Sequence, residues 1–148
     1  AMVRCCVLGG DHGVAEQWSK WASGVASSVK LPLVYPLAQV SWALTHLAVG
    51  RYDDAQKRLR YPLEHMALLA DTSAQEVLAL RAAAAHGLGD EVAAQAWLAK
   101  AHAVVQEQAD RIRDAEHRAS FMDNIPLHRV IMRATQGATW LPTDILQP

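Results

Sequence analysis

Seven histidines, two cysteines and one glycine-rich turn are the residues of this sequence that could do chemistry. His12, His46, His65, His86, His102, His117 and His128 occur singly along the chain. A zinc site gathers its ligands at short, regular spacings, as in His-Glu-x-x-His, and no such spacing is present. Cys5 and Cys6 are adjacent, an arrangement that does not readily meet disulfide geometry. A nucleophilic cysteine also needs a base to take its proton, and no partner for either is readable. The pair reads as two small, buried or half-buried thiols in a reducing, cytoplasmic setting. No Ser/His/Asp arrangement is present. The expectation is a protein with no catalytic residues, no metal and no cofactor.

The turn Leu8-Gly9-Gly10-Asp11-His12-Gly13 has two chemical readings. It could be a phosphate loop after a short strand over residues 2–8, but the Lys and Ser/Thr of such a loop are missing and no second strand is evident. Gly-Gly-Asp-His also resembles a manganese-ligand motif of arginase-like hydrolases, yet the second cluster of Asp and His that such a site requires is absent. The basic cluster Lys57, Arg58 and Arg60 offers a phosphate patch. Against that, Asp53/Lys57, Asp54/Arg58, Glu107/Arg111 and Asp114/Arg118 all stand four apart, the spacing of ordinary ion pairs on a helix surface.

The elements that must position these residues are helical. The chain has 148 residues, of which 51% are apolar and 20% charged, with 14 basic against 15 acidic residues. It is too apolar to be disordered, too balanced to carry a nucleic-acid footprint, and its apolar runs are too short to span a membrane. No secretory signal is readable, and the start at Ala1-Met2 reads as a fragment. Leu37, Val40, Leu44 and Leu47 recur at gaps of three and four, and Trp97, Ala101, Val104, Val105, Gln108 and Ile112 follow the same helical period over a longer span. Residues 77–85 are apolar nearly all round except at Arg81, as in a helix enclosed by neighbours.

Punctuation sets the boundaries. A helix is expected over 36–49, closed by Gly50. Another opens at Asp53 and Asp54, where acids suit the positive end of the dipole, and Pro62 should kink or split it near Arg60. Asp71-Thr72-Ser73 form a turn and cap, with Thr72 and Gln75 at capping-box spacing, before a helix to His86. Asp90 caps a helix reaching about Arg113, Asp114 caps one through Met122, and Asn124-Ile125-Pro126 opens a last one to Thr135. The tail 136–148 is expected to be irregular, with Trp140, Leu141 and Ile145 available to dock on the core.

The chain repeats itself. Gly10/Ala15, Gly50/Ala55 and Gly89/Ala94 each set a glycine five residues before an alanine, with the glycines 40 and 39 residues apart. The glycine ends one helix in the left-handed region, and the alanine lets the next fold back closely. Gly50-Arg51-Tyr52-Asp53-Asp54-Ala55, with Leu59 beyond it, resembles the turn of a tetratricopeptide-type repeat. Gly89-Asp90-Glu91-Val92-Ala93-Ala94 with Leu98 is similar, and in the first copy Ser19 replaces the large apolar residue. Trp42 and Ala43 hold the family's bulky-to-small packing pair, which becomes Arg81 in the next copy. The segment 112–129, with its Arg, Ser-Phe and Asn-x-Pro elements, is similar to the closing segment of repeat regions in large bacterial signalling and transcriptional regulators.

The resemblance covers residues 10–134. It implies an all-α, right-handed superhelix of antiparallel helix hairpins with C-terminal capping helices over residues 1–135, the first repeat truncated. It also implies a non-catalytic protein-interaction, scaffold or sensor role within a larger bacterial protein. In that family the first helix of each pair lines the inner face. Here Leu37, Val40, Leu44, Leu47, Glu76, Ala79, Ala83 and His86 are therefore the candidate interaction groove, or equally a part of the core. The expected partner is a protein or peptide, with no direct nucleic-acid or membrane contact and with self-association possible through the truncated N-terminal end. A receptor for a small molecule or peptide in the apolar groove is the alternative; an enclosed pocket holding Trp42 with His46 or His86 would favour it.

Overall fold

The computed structural model describes residues 2–29, 32, 34–69 and 71–146, and the side chains of these except 71–73 and 146. Eight α-helices pack sequentially, with no strand among the described residues. They are α1 (Met2–Leu8), α2 (His12–Ser28), α3 (Val34–Ala48), α4 (Tyr52–Glu64), α5 (Asp71–Gly87), α6 (Glu91–Asp110), α7 (Ala115–Asp123) and α8 (Pro126–Thr135). Short 3-10 turns at Met66–Leu68 and Pro142–Leu146 complete the chain. Residues 2–8 are thus helical, which removes the strand that a phosphate loop would have followed.

Three helix ends share one mechanism. Gly10, Gly50 and Gly89 have φ of +79°, +73° and +79°, a region that costs any side chain about 1–2 kcal/mol. After each, the next residue's N–H reaches back to a carbonyl five residues earlier: Asp11 to Cys6, Arg51 to His46 and Asp90 to Ala85, at 2.9, 2.9 and 3.0 Å. This closes orphan carbonyls of the preceding helix. Ala15, Ala55 and Ala94 are fully buried at the start of the following helix. Gly137 adds a fourth stop of the same kind, with Ala138 N–H donating to Arg133 O at 3.1 Å.

The starts are capped by carboxylates. Asp11, Asp90 and Asp114 accept from the N–H of Val14, Ala93 and His117, satisfying donors that a helix start leaves open. Helix α3 begins two residues before the expected Pro36, because proline is tolerated in a first turn whose N–H groups have no intrahelical acceptor. The Thr72 side chain of the expected capping box lies outside the described residues.

Pro62 does not split α4 at Arg60. The helix runs through it to Glu64, because the proline lies in the last turn, where the lost N–H removes one bond near an end. The chain then leaves the helix through His65, whose N–H donates to Tyr61 O at 3.1 Å. Helix α6 likewise ends at Asp110 rather than Arg113, and the Arg118 side chain donates to Ile112 O across the bend that follows.

Consecutive helices pack on one another from α1 to α6, and α1, α3 and α5 also touch in turn. Helix α5 is enclosed, with Val77–Leu80 and Ala82–Ala85 buried; alanine there lets helix axes approach closely. Leu59 and Leu98 fill matching places in α4 and α6. In α2 that place is Ser19, whose hydroxyl donates to Ala15 O and lies 3.3 Å from Thr45 Oγ1. A buried polar pair replaces an aliphatic contact there.

The chain closes on itself at the C-terminal end. In α7–α8, Asn124 Nδ2 donates to Ser120 Oγ, and buried His128 bonds Phe121 O through Nδ1 at 2.9 Å. The final 3-10 turn rests on α3, α5 and α8. Trp140 and Ile145 are buried, while Leu141 is exposed. No helix among the described residues is long and apolar enough to cross a membrane.

Candidate functional site

The eight residues of the candidate groove do not form one open surface. Val40, Leu44, Leu47, Ala79 and Ala83 are buried in the core. His86 is stacked against Trp140 of the tail, centroids 4.7 Å apart, so the tail covers that end of the inner layer. Leu37 is exposed, and Glu76 is ion-paired with Arg4 of α1. Leu37, Val40, Leu44 and Glu76, together with Val3, Arg4 and Ser41, line a cleft of about 390 Å³. That is what remains accessible of the groove. The physical reason is composition: a stripe of leucine, valine and alanine is driven from water by the same force whether the cover is a partner or the chain's own C-terminus.

Two other clefts lie between successive helix pairs. The first, of about 320 Å³, is lined by Glu16 and Lys20 of α2, Trp42 and His46 of α3, and Arg51, Asp54, Lys57 and Arg58 at and within α4. The second, of about 510 Å³, is lined by Asp53, Gln56, Lys57, Arg60, Leu63 and Glu64 of α4, Arg81 of α5 and Trp97 of α6. Lys57 belongs to both. The two are one repeat apart: Trp42 and Arg81 occupy equivalent positions on α3 and α5, 39 residues apart, and so do Arg58 and Trp97 on α4 and α6.

Each cleft holds an arginine against a tryptophan. In the first, the Arg58 guanidinium carbon is 3.3 Å from the Trp42 ring centroid. In the second the residues are exchanged: Arg81 reaches over Trp97 at 5.9 Å, and Lys100 Nζ sits 4.1 Å from the same ring. Cation and indole attract through the ring quadrupole, so either order supplies the contact. Arg58 also donates to Gln39 Oε1 at 3.5 Å, and Gln39 in turn donates to Ser23 Oγ at 2.7 Å. Arg58 is thus held by Trp42 and Gln39 rather than by the expected Asp54.

Charge on the rims is mostly paired. Glu16 receives Lys20 at 3.1 Å and Arg51 at 2.9 Å; the bonds from Lys20 and then Arg51 hold its carboxyl below the usual range. Lys57 pairs with Asp54 at 3.2 Å, not with Asp53, and lowers the Asp54 pKa through that bond. Arg60 pairs with Glu64 at 3.0 Å; away from the clefts, Glu107 pairs with Arg111 at 2.7 Å.

Below the rims, Trp42 Nε1, His46 Nδ1 and Arg81 Nε are buried with no hydrogen-bond partner among the described residues, as is His12 Nδ1 outside both clefts. Burial pushes the pKa of His46 down, with Arg51 adding to the effect, and burial also lowers that of Arg81. His46 is therefore neutral near pH 7. Native proteins leave few such groups unsatisfied, and both clefts contain at least one.

The histidines do not converge. Among the described residues, no three His, Cys, Asp or Glu side chains come together at metal distance. Cys5 is exposed and Cys6 half-buried, both as free thiols. In comparisons with family models, with curated proteins and with solved structures, nothing matches this chain.

The clefts were partly legible in the sequence. Trp42, Arg81 and the run Lys57-Arg58-Arg60 stand out there, but their meeting depends on the repeat register. Setting Arg58 beside Trp97, as Trp42 stands beside Arg81, is the signal that finds them.

Proposed function

We propose that this chain is a non-catalytic protein-interaction domain of the tetratricopeptide type, a scaffold or sensor segment of a larger bacterial signalling or regulatory protein. The threefold glycine stop and buried alanine support the repeat reading, as does the contact of α1 with α3 and of α3 with α5. On this reading the helix pairs stack as a right-handed superhelix, with α7 and α8 as its cap.

The interaction surface is the pair of clefts floored by Trp42 and Arg81. The observation that carries this is the arginine–tryptophan contact repeated in both clefts, Arg58 on Trp42 and Arg81 on Trp97, beneath rims that carry cations. A protein partner presenting carboxylates would meet the rim cations Lys57 and Arg60 beside these contacts. The side chains of Lys57 and Arg60 on the rims are largely exposed, as befits an open surface for a chain rather than an enclosed ligand chamber.

The test uses isotope-labelled full-length chain titrated with a glutamate-rich peptide and, separately, a lysine-rich one. The expected result is movement of the Trp42 and Trp97 indole signals with the acidic peptide alone, reduced by added salt and lost in Trp42→Ala. Movement confined to residues around Leu37 and Leu44, or no movement, overturns the reading.

A small-molecule or peptide receptor is the second reading, and the cleft of about 390 Å³ beside Leu37, Val40 and Leu44 favours it. Its size lies in the range of roughly 300–1,000 Å³ found for ligand pockets. Saturable binding of an apolar probe that is abolished by Leu37→Asp would support it.

A further inference from the structure

Helix α2 presents a second apolar face that the described residues leave partly exposed. Its buried residues, Ala15, Ser19, Ser23 and Ala26, are directed into the fold. A separate stripe, Val14, Trp18, Trp21 and Val25, is 36%, 39%, 61% and 40% exposed. Two tryptophans in water on one short helix are unusual for an isolated surface. They are ordered against each other, edge to face, with centroids 5.6 Å apart.

The order of the stripe identifies what covers it. The spacings are four, three and four, the seam of a helix that pairs with another helix. The sequence along the seam is Val-Trp-Trp-Val, the same read in either direction. When two copies of such a helix meet antiparallel about a twofold axis, residue i of one faces residue j of the other and j faces i. With the axis passing between Ser19 and Lys20, Trp18 faces the second copy's Trp21, and Val14 faces its Val25. Every layer is then apolar on both sides.

The flanks agree. Gln17, Ala22 and Gly24 border the seam and bring no charge to it. A Cβ at Gly24 would meet nothing within 4 Å, so the backbone there is open to close approach. Lys20, nearest the axis in sequence, is turned to Glu16 at 3.1 Å, so like charges are not forced together.

We infer that this α2 face is the seam of a homodimer, built by antiparallel pairing of α2 with α2 of a second copy. The exposed part of the two tryptophans amounts to roughly 250 Å² per protomer, taking about 250 Å² for a whole side chain. Across the pair that is about half of the ~1,000 Å² of a specific interface, and the valines and flanks add to it. The association is accordingly weak and concentration-dependent.

The test uses the full chain with Cys5→Ser and Cys6→Ser, so that no native thiol interferes. Sedimentation across about 1 µM to 1 mM should show a monomer–dimer equilibrium. Trp18→Glu and Trp21→Glu should each raise the dissociation constant at least about tenfold, with helical content unchanged by circular dichroism. Adding Val14→Cys and Val25→Cys together should give disulfide-linked dimer on mild oxidation. Val14→Cys alone should not, because eleven residues of helix, about 16 Å, separate position 14 from position 25 and so from its own copy. A monomer throughout, a dimer indifferent to Trp18→Glu, or equal cross-linking by the single cysteine would each overturn the proposal. If either glutamate variant unfolds, the cysteine pair decides alone. These outcomes are independent of whether acidic peptides bind the clefts.

Discussion

Arg58 lies 3.3 Å from the centroid of the Trp42 ring, and one repeat later the same two positions are held by Trp97 and Arg81. The contact is kept while its two residues change places. This explains how one repeat tolerates arginine where its neighbour has tryptophan: the pocket between the paired helices requires one cation and one indole, not a fixed order of them. The pairs differ in closeness, and their energies should differ accordingly. A double-mutant cycle with Trp42→Ala and Arg58→Ala, read by urea denaturation, should give a coupling of about 1–2 kcal/mol. The cycle on Arg81 and Trp97 should give about half as much, because Arg81 stands farther from its ring, which Lys100 also approaches. Equal couplings would show that distance to the ring does not set the contribution.

Glycine is required in this fold for two different reasons, and substitutions separate them. At Gly89, φ of +79° is the obstacle, and a Cβ would meet nothing within 4 Å. Gly89→Val, branched as well as left-handed, should lower stability by roughly 2 kcal/mol or more. At Gly87 the backbone is helical and the obstacle is the Tyr52 ring, which would lie 2.5 Å from an added Cβ. Gly87→Ala should therefore destabilise, and adding Tyr52→Ala should relieve the clash. Gly13, with open space around it and a helical backbone, is the control. Gly13→Ala should stabilise by about 0.4–1 kcal/mol. Thermal melts of the four variants check the set, and a stable Gly87→Ala would remove the role given to Tyr52.

Much of the architecture was readable because short-range chemistry decides it. The glycine stops, the caps at Asp90 and Asp114 and the start of α8 at Pro126 follow from local rules. The groove was not separable from core because Val40, Leu44 and Ala83 would be apolar in either role; only the docking of Trp140 on His86 settles which part is covered. Pro62 does not split its helix for a related reason. A proline breaks a helix according to its distance from the end, and that end is set by the turn at His65. Ser19 looked like a missing core residue, but Thr45, 26 positions away, gives its hydroxyl a polar neighbour.

Stability should fall with acid, and His46 should be one of the causes. Its side chain is buried, Nδ1 has no partner, and burial holds its pKa below the ordinary value. The unfolded chain therefore binds a proton more readily than the folded one. Stability from this residue is complete above the unfolded pKa of about 6.5 and is lost as pH falls through that value towards the folded one. Urea midpoints measured from about pH 7.5 down to about pH 5 should decline. The decline should be shallower in His46→Leu, which removes both the titration and the unpaired nitrogen. An unchanged slope in that variant would assign the acid sensitivity to other groups.

The tail should prove part of the folded unit rather than an appendage. Trp140 stacks on His86 with rings 25° apart, Ile145 is buried, and the final turn rests on α3, α5 and α8. Removing these side chains takes apolar area from a closed layer and leaves a void that helices on three sides cannot easily collapse into. Trp140→Ala should lower stability by about 3–5 kcal/mol and Ile145→Ala by about 2–5 kcal/mol. Exposed Leu141→Ala should change it by less than about 0.5 kcal/mol. Truncation after Gly137 should additionally uncover the inner ends of α3 and α5, visible as binding of an apolar dye with the helical signal largely kept. If Trp140→Ala melts with the parent chain and the truncated form binds no dye, the tail does not hold the inner layer closed. The part of the groove around Ala83 and His86 would then be open to a partner after all.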